Sequence, residues 1–191
     1  MTSYSIILFF HVGSAFVLAA ALGMDWMLLT RLRRATSARE AEPSLAMWKA
    51  VPWMASLSLL VLLLTGGYLT GVLGQWPLGW PKVALVALVL IGAFGGITSK
   101  RMRLARKACG AGGGSDSECL RRMRDPMLSL SVNMRIALLF ATVLLMTATP
   151  GLYMSSGIVA GGLVVGFLVS LTGSSGRMPQ QAIEAKRESG A

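Results

Sequence analysis

Four ionisable side chains lie within, or at the start of, long apolar runs of this 191-residue sequence: His11, Asp25, Lys82 and Arg135. A charged group at the centre of a membrane-spanning helix costs about 2.5–3.5 kcal/mol on insertion scales. Such residues are therefore retained for packing or for function, and these four are the candidate functional residues.

Asp25 lies near the end of the first apolar run, and Arg135 lies several residues inside the fourth. At a rise of 1.5 Å per residue, both fall on the order of 8–10 Å below the same surface. Matched depth and opposite charge predict a structural ion pair that fixes the helix register. The alternative is that each side chain extends separately to the interface.

His11 is the only histidine and lies about 8 Å below the opposite surface, where Lys82 begins the third run. One imidazole cannot chelate a bare metal ion, so no such site is predicted. It can be an axial ligand of haem, because the macrocycle supplies the other nitrogens. It can also be a hydrogen-bonded packing residue, and Lys82 can extend to the interface.

Five segments are long and apolar enough to cross a hydrocarbon core of about 30 Å. They are predicted at 6–29, 50–73, 80–98, 128–149 and 152–172, with Pro150-Gly151 separating the last two. The sequence is 54% hydrophobic and 14% charged, against about 25% charged in soluble domains, which excludes disordered and ordinary soluble chains. We predict an all-α polytopic membrane bundle of five transmembrane helices over 1–172.

Basic residues collect in the first and third connections between the spans and in the tail. Connections with and without positive charge therefore alternate along the chain. The positive-inside rule then predicts an outside N-terminus and a cytoplasmic C-terminus in a multi-pass protein of the bacterial inner membrane. The net charge of +10 flanks the membrane segments, so nucleic-acid binding is not predicted. Residues 99–127 are predicted to form a flexible cytoplasmic loop, and 173–191 a disordered polar tail.

Aromatic residues fall at two levels of the predicted bundle, as expected for the two membrane–water interfaces. Tyr4, Trp76, Trp80 and Tyr153 lie at the outer level, and Trp26, Trp48 and Trp53 lie at the inner level.

Sulfur-containing and small residues give weaker predictions. Cys109 and Cys119 are predicted to be free thiols, because the topology places both in the reducing cytoplasm. Met24 with Met27, and Met123 with Met127, would share helix faces, which leaves copper handling open. Four pairs of glycines at four-residue spacing favour close helix packing and leave oligomerisation open; they are Gly67/Gly71, Gly92/Gly96, Gly157/Gly161 and Gly162/Gly166.

Four short motifs carry a resemblance: Phe10-His11-Val12-Gly13, Val51-Pro52-Trp53-Met54, Gly79-Trp80-Pro81-Lys82, and Leu144-Leu145-Met146 running to Pro150. Over about residues 5–150 the chain resembles small polytopic membrane proteins related to HemJ, the bacterial protoporphyrinogen oxidase. It also resembles copper-resistance-D-type proteins and their uncharacterised relatives.

The resemblance implies haem b as a cofactor at His11, with His11 and Lys82 as the residues that would inherit a catalytic role. Three hypotheses follow. The chain is an inner-membrane protein that binds a tetrapyrrole through His11 without established catalysis; or it is a protoporphyrinogen oxidase that passes electrons to quinone; or it is a non-enzymatic copper-handling or structural module. The first is the main prediction, and whether the protein is an enzyme stays open.

Overall fold

The computed structural model describes residues 3–110 and 116–175, which form helices without a strand. The helices are α1 (Ser3–Arg34), α2 (Ala38–Met47), α3 (Val51–Val72), α4 (Gly79–Gly110), α5 (Asp116–Met123), α6 (Pro126–Ala148) and α7 (Leu152–Ser175). Five helical stretches, built on α1, α3, α4, α6 and α7, are long and apolar enough to cross a membrane. The prediction of an all-helical chain with five such helices is confirmed.

Local sequence explains where the central helix α6 begins and ends. The Asp125 carboxylate accepts a hydrogen bond from the backbone N–H of Met127, and Pro126 occupies the first turn, where no N–H is needed. At the other end, Thr149 adopts a left-handed conformation with φ of 41° just before Pro150. This turn separates α6 from α7.

Helix α6 lies at the centre of the bundle. Half of the residues (50%) in its 18-residue apolar segment are buried, against 17–28% in the corresponding segments of the other four long helices. It packs against α7 and α4 and also contacts α1, while α1 packs along α3. The outer faces of the four peripheral helices carry large exposed apolar side chains, as expected of helices that face lipid.

The range 99–127, predicted as a flexible loop, is helical over most of its described residues. Met102 and Ala105 continue one apolar face of α4 beyond the predicted end of the third span, and both are buried. Buried Cys119 and Met123 lie on α5, which packs against this part of α4. The helix therefore persists because its apolar face has a partner. Residues 111–115 and 176–191, including most of the predicted tail, lie outside the described residues.

The prediction that Cys109 and Cys119 are free thiols is wrong, because they form a disulfide that links α4 to α5. The two helices bring the Cα atoms to 5.0 Å, within the range that a disulfide requires. Their spacing in the sequence did not indicate this pairing, since it depends on α5 folding back on α4.

The proposed pairing of Met123 with Met127 on one helix face is also wrong. Met123 ends α5 and Met127 is the second residue of α6, so a helix break separates them. Met123 is buried, whereas Met127 is exposed to 47%. These two thioethers do not form the shared face that a copper site would need.

Two of the spaced glycines lie in the packing between α6 and α7. A Cβ at Gly162 would lie 3.1 Å from the Ala141 Cβ, and one at Gly166 would lie 3.1 Å from the Met134 Cα. By contrast, a Cβ at Gly157 or Gly161 would meet no atom within 4 Å. The pair Gly162/Gly166 therefore serves packing within this chain.

Replacing Gly166 with Leu is expected to destabilise the bundle by about 1–2 kcal/mol, because an inserted side chain would have to push α6 and α7 apart. Gly161→Leu on the same helix is the matched control and should cost little. Thermal unfolding of the purified protein in detergent measures both. Equal melting temperatures for the two variants would contradict the described contact between α6 and α7.

Candidate functional site

The structure brings Asp25 on α1 and Arg135 on α6 together in the interior. Arg135 Nη1 donates to Asp25 Oδ2 at 2.7 Å, and only 2% of the Asp25 surface and 4% of the Arg135 surface are exposed. Gly95 on α4 makes room for the guanidinium, because a Cβ there would lie 3.4 Å from the Arg135 Cζ. Three long helices thus meet at one ion pair.

Trp48 is a third member of this cluster, which the sequence analysis placed only at the inner interface. Its indole Nε1 donates to Asp25 Oδ1 at 2.9 Å, and the side chain is buried. Helix α2 positions Trp48 for this contact, because Trp48 directly follows the last residue of the helix. Ser37 caps the other end of α2. Both carboxylate oxygens of Asp25 are therefore satisfied, which indicates a structural cluster.

A separate cavity lies among α1, α3 and α4, near the end of the bundle where α1 begins. Its volume is about 220 Å³ and its walls are mostly apolar. The lining side chains that carry polar atoms are Tyr4, His11, Thr70, Gln75, Trp76 and Trp80. It is the described cavity that contains the only histidine.

The hydrogen bonds of Thr65 determine which nitrogen of His11 carries the proton. Thr65 Oγ1 lies 2.6 Å from the carbonyl oxygen of Val61 and donates its single proton there. The same oxygen lies 2.9 Å from His11 Nδ1. Because its proton is already used, Thr65 Oγ1 must accept from Nδ1–H. In the neutral ring, Nε2 then keeps a lone pair, and it has no hydrogen-bond partner among residues 3–110 and 116–175.

The position of the His11 ring depends on a small residue next to Thr65. A Cβ at Gly66 would lie 3.1 Å from His11 Cε1, so a larger residue would press on the imidazole. Thr65 and Gly66 together hold the ring against α3. Neither residue could be predicted from the sequence, because a Thr-Gly pair in an apolar helix gives no indication of the helix that it faces.

Trp80 supplies a second polar atom to the cavity region. It lines the cavity, and its Nε1 is buried without a hydrogen-bond partner in the described part of the chain. An unsatisfied buried donor costs about 1–3 kcal/mol. Because this atom has almost no accessible surface, a ligand in the cavity could accept from it only after the indole ring turns. Of these two groups, His11 is the one that a ligand can reach without a rearrangement of the cavity wall.

Lys82 does not join His11 at this site. Its side chain is exposed and does not line the cavity, although Trp80 and Pro81 do. The predicted cooperation of the two residues in a reaction thus finds no support in the lining of the cavity. The alternative, a lysine that extends to the interface from a helix start, agrees with this exposure.

An entire tetrapyrrole would extend beyond the enclosed part of this cavity. Pockets for drug-sized ligands span about 300–1,000 Å³, and this cavity is smaller, at about 220 Å³. A porphyrin is larger than most such ligands, and its carboxylates would find no cationic side chain in the lining. The orientation of His11 suits an axial ligand, and a macrocycle bound there would project out of the cavity.

Comparisons with protein-family models, curated proteins and solved structures find no match to this chain. The resemblance to HemJ-like proteins therefore stays a prediction.

Proposed function

We propose that this protein is a multi-pass membrane protein that binds a small lipophilic ring compound bearing hydroxyl or carbonyl oxygens, of the quinol class, in the His11 cavity. The observation that carries the proposal is an imidazole with a free hydrogen-bond acceptor in the wall of a mostly apolar cavity. His11 Nε2 can accept from a ligand hydroxyl, and a turn of the Trp80 indole would let its buried Nε1 donate to a ligand oxygen. Binding without catalysis is the function that these two groups support best.

The size of the cavity favours a ligand with one ring. An apolar cavity of about 150 Å³ is known to accept benzene, and the present cavity of about 220 Å³ has room for a ring with a few substituents. Exposed apolar side chains on α1 and α3 surround this region, so a lipophilic ligand would arrive from the bilayer. The long tail of a membrane quinol would then remain among the lipids.

The proposal includes the orientation of the chain. We propose a bacterial inner-membrane protein with its N-terminus outside and its C-terminus in the cytoplasm, because basic residues cluster at the C-terminal end of α1 and before the start of α6, at one end of the bundle. The Cys109–Cys119 disulfide lies at that same end and would then be one of the uncommon disulfides that form in the cytoplasm. The His11 cavity would then open in the outer leaflet. Labelling of a cysteine introduced at Gln75 by an impermeant reagent from outside intact cells tests this orientation, and labelling only after lysis would contradict it.

A titration with dimethylhydroquinone tests the binding function. We expect saturable binding to purified protein in detergent and a loss of about five- to tenfold in affinity in His11→Ala, the effect of one net hydrogen bond. Tyr68→Phe is a matched control on α3, outside the cavity lining. The dimethoxy analogue, which lacks the hydroxyl protons, should bind the wild type about as weakly as His11→Ala binds the hydroquinone.

Equal affinity for the two compounds, or no effect of His11→Ala, would contradict a ligand hydrogen bond to His11. The tetrapyrrole alternative has its own readout, since protein expressed with ample haem would show a Soret band that His11→Ala removes. A Soret band of this kind would replace the quinol proposal. Its absence would remove haem b as a cofactor and, with it, the main support for the HemJ-like hypotheses.

A further inference from the structure

A second cleft lies at the opposite end of the bundle, with a volume of about 470 Å³. α1 and α7 both flank α6 there, and the turn before α6 closes one side. Its lining includes the side chains of Trp26, Arg33, Arg34, Arg124, Ser129 and Asn133. No carboxylate belongs to the lining among the residues that the structure describes. The cleft is therefore strongly cationic.

Two of its guanidinium groups are available to a ligand. Arg34 in the last turn of α1 and Arg124 before α6 are both exposed, and neither has a hydrogen bond or ion pair within the described ranges. Arg33 is differently placed, since it donates to Ser129 Oγ. A neighbouring cleft contains Lys100 and Arg101, but there Asp125 pairs with Arg101. Of these two clefts, only the first lacks a lining carboxylate.

The cleft lies at the depth of a lipid headgroup. Ser170 of α7 lines it and is 18 residues beyond Leu152, where α7 begins at the other end of the bundle. At 1.5 Å per residue this distance is about 27 Å, close to the roughly 30 Å of a hydrocarbon core. The arginines thus lie where α1 leaves the membrane. Trp26, exposed to 54%, lies two turns deeper on α1.

We propose that this cleft binds the headgroup of an anionic glycerophospholipid, such as phosphatidylglycerol. The phosphodiester would accept from Arg34 and Arg124, and guanidinium groups bind phosphate oxygens in bidentate geometry. Asn133 has no side-chain hydrogen bond within the described ranges, so its amide can contact the glycerol. The acyl chains would pass over the exposed ring of Trp26. This inference is independent of the ligand in the His11 cavity.

Native mass spectrometry of the delipidated full-length protein, titrated with phosphatidylglycerol or phosphatidylcholine, tests this proposal. Each arginine near an anionic headgroup contributes on the order of a fivefold factor in affinity. We therefore expect Arg34→Gln/Arg124→Gln to weaken phosphatidylglycerol binding by about thirtyfold, while phosphatidylcholine binding changes little. Arg34→Lys/Arg124→Lys retains the charges and should keep most of the affinity.

The control is Arg31→Gln/Arg39→Gln, which removes the same charge from exposed positions outside the cleft. An equal loss of affinity in this control would show that overall charge attracts the lipid, and it would overturn the proposal. Equal binding of the two lipids by the wild type would also overturn it. Displacement of phosphatidylglycerol by inorganic phosphate at millimolar concentration would assign the cleft to a soluble anion instead. Helical circular dichroism of each variant verifies that the bundle is folded.

Discussion

Replacing Arg135 with Gln is expected to destabilise the protein by about 3–5 kcal/mol, because it leaves the buried Asp25 carboxylate without its cationic partner. The remaining hydrogen bond from Trp48 Nε1 cannot neutralise a charge in the interior. Since three of the long helices meet at this ion pair, the loss affects the whole bundle. Unfolding of the purified variant by denaturant in mixed micelles measures the change in free energy.

The double variant Asp25→Asn/Arg135→Gln separates the cost of an unpaired charge from the loss of the interaction. It removes both charges, keeps similar side-chain volumes, and leaves an amide oxygen in place of the carboxylate to accept from Trp48. Replacing a buried ion pair by neutral groups is often close to neutral in stability. We therefore expect the double variant to recover most of the stability that Arg135→Gln loses. A double variant that is less stable than the single one would contradict this account of the cluster.

Gly79→Ala is expected to destabilise the protein by about 3 kcal/mol, at the upper end of the usual cost of overpacking. A Cβ at this position would lie 2.6 Å from the Leu152 Cα and 2.9 Å from its backbone nitrogen. Backbone atoms cannot rotate away as a side chain can, so the start of α4 would have to move from the start of α7. Trp80 and Pro81 follow directly and line the His11 cavity, so binding there should weaken too.

Gly96→Ala on the same helix is the control for this prediction. A Cβ there meets no atom within 4 Å, and alanine is favoured over glycine in a helix by up to about 1 kcal/mol. We expect equal or slightly raised stability in this variant. Thermal unfolding in detergent compares the two, and a Gly79→Ala protein as stable as Gly96→Ala would contradict the close approach of α4 to Leu152.

The membrane helices and the Asp25–Arg135 pair could be anticipated from sequence because both depend on position along a helix. Apolar run length gives the spans, and residue counting gives matched depth for the two charges. Contacts that depend on how a helix is rotated about its own axis could not be predicted by counting residues. Trp48 is an example, because its turn toward Asp25 requires α2 to fold back on α1.

The separation of Trp80 from Lys82 also depends on rotation about a helix axis, but the relative directions of these two side chains could have been foreseen. Successive residues of an α-helix are about 100° apart, so two residues at this spacing point in nearly opposite directions. A helix that turns Trp80 toward the cavity must therefore turn Lys82 outward, as observed. Whether Trp80 or Lys82 faces inward depends on the packing of Ala84 and Leu88, which lie one and two helical turns beyond Trp80 on the same face of α4.

The most direct test of the central claim uses the single histidine of the chain as a probe. With ¹⁵N-labelled histidine and no histidine tag, nuclear magnetic resonance in detergent micelles gives one pair of ring nitrogen resonances. We predict a neutral ring protonated at Nδ1, and an Nε2 resonance that shifts on addition of dimethylhydroquinone but not of its dimethoxy analogue. A ring protonated at Nε2, or an Nε2 resonance that does not respond to the hydroquinone, would contradict the proposed role of His11.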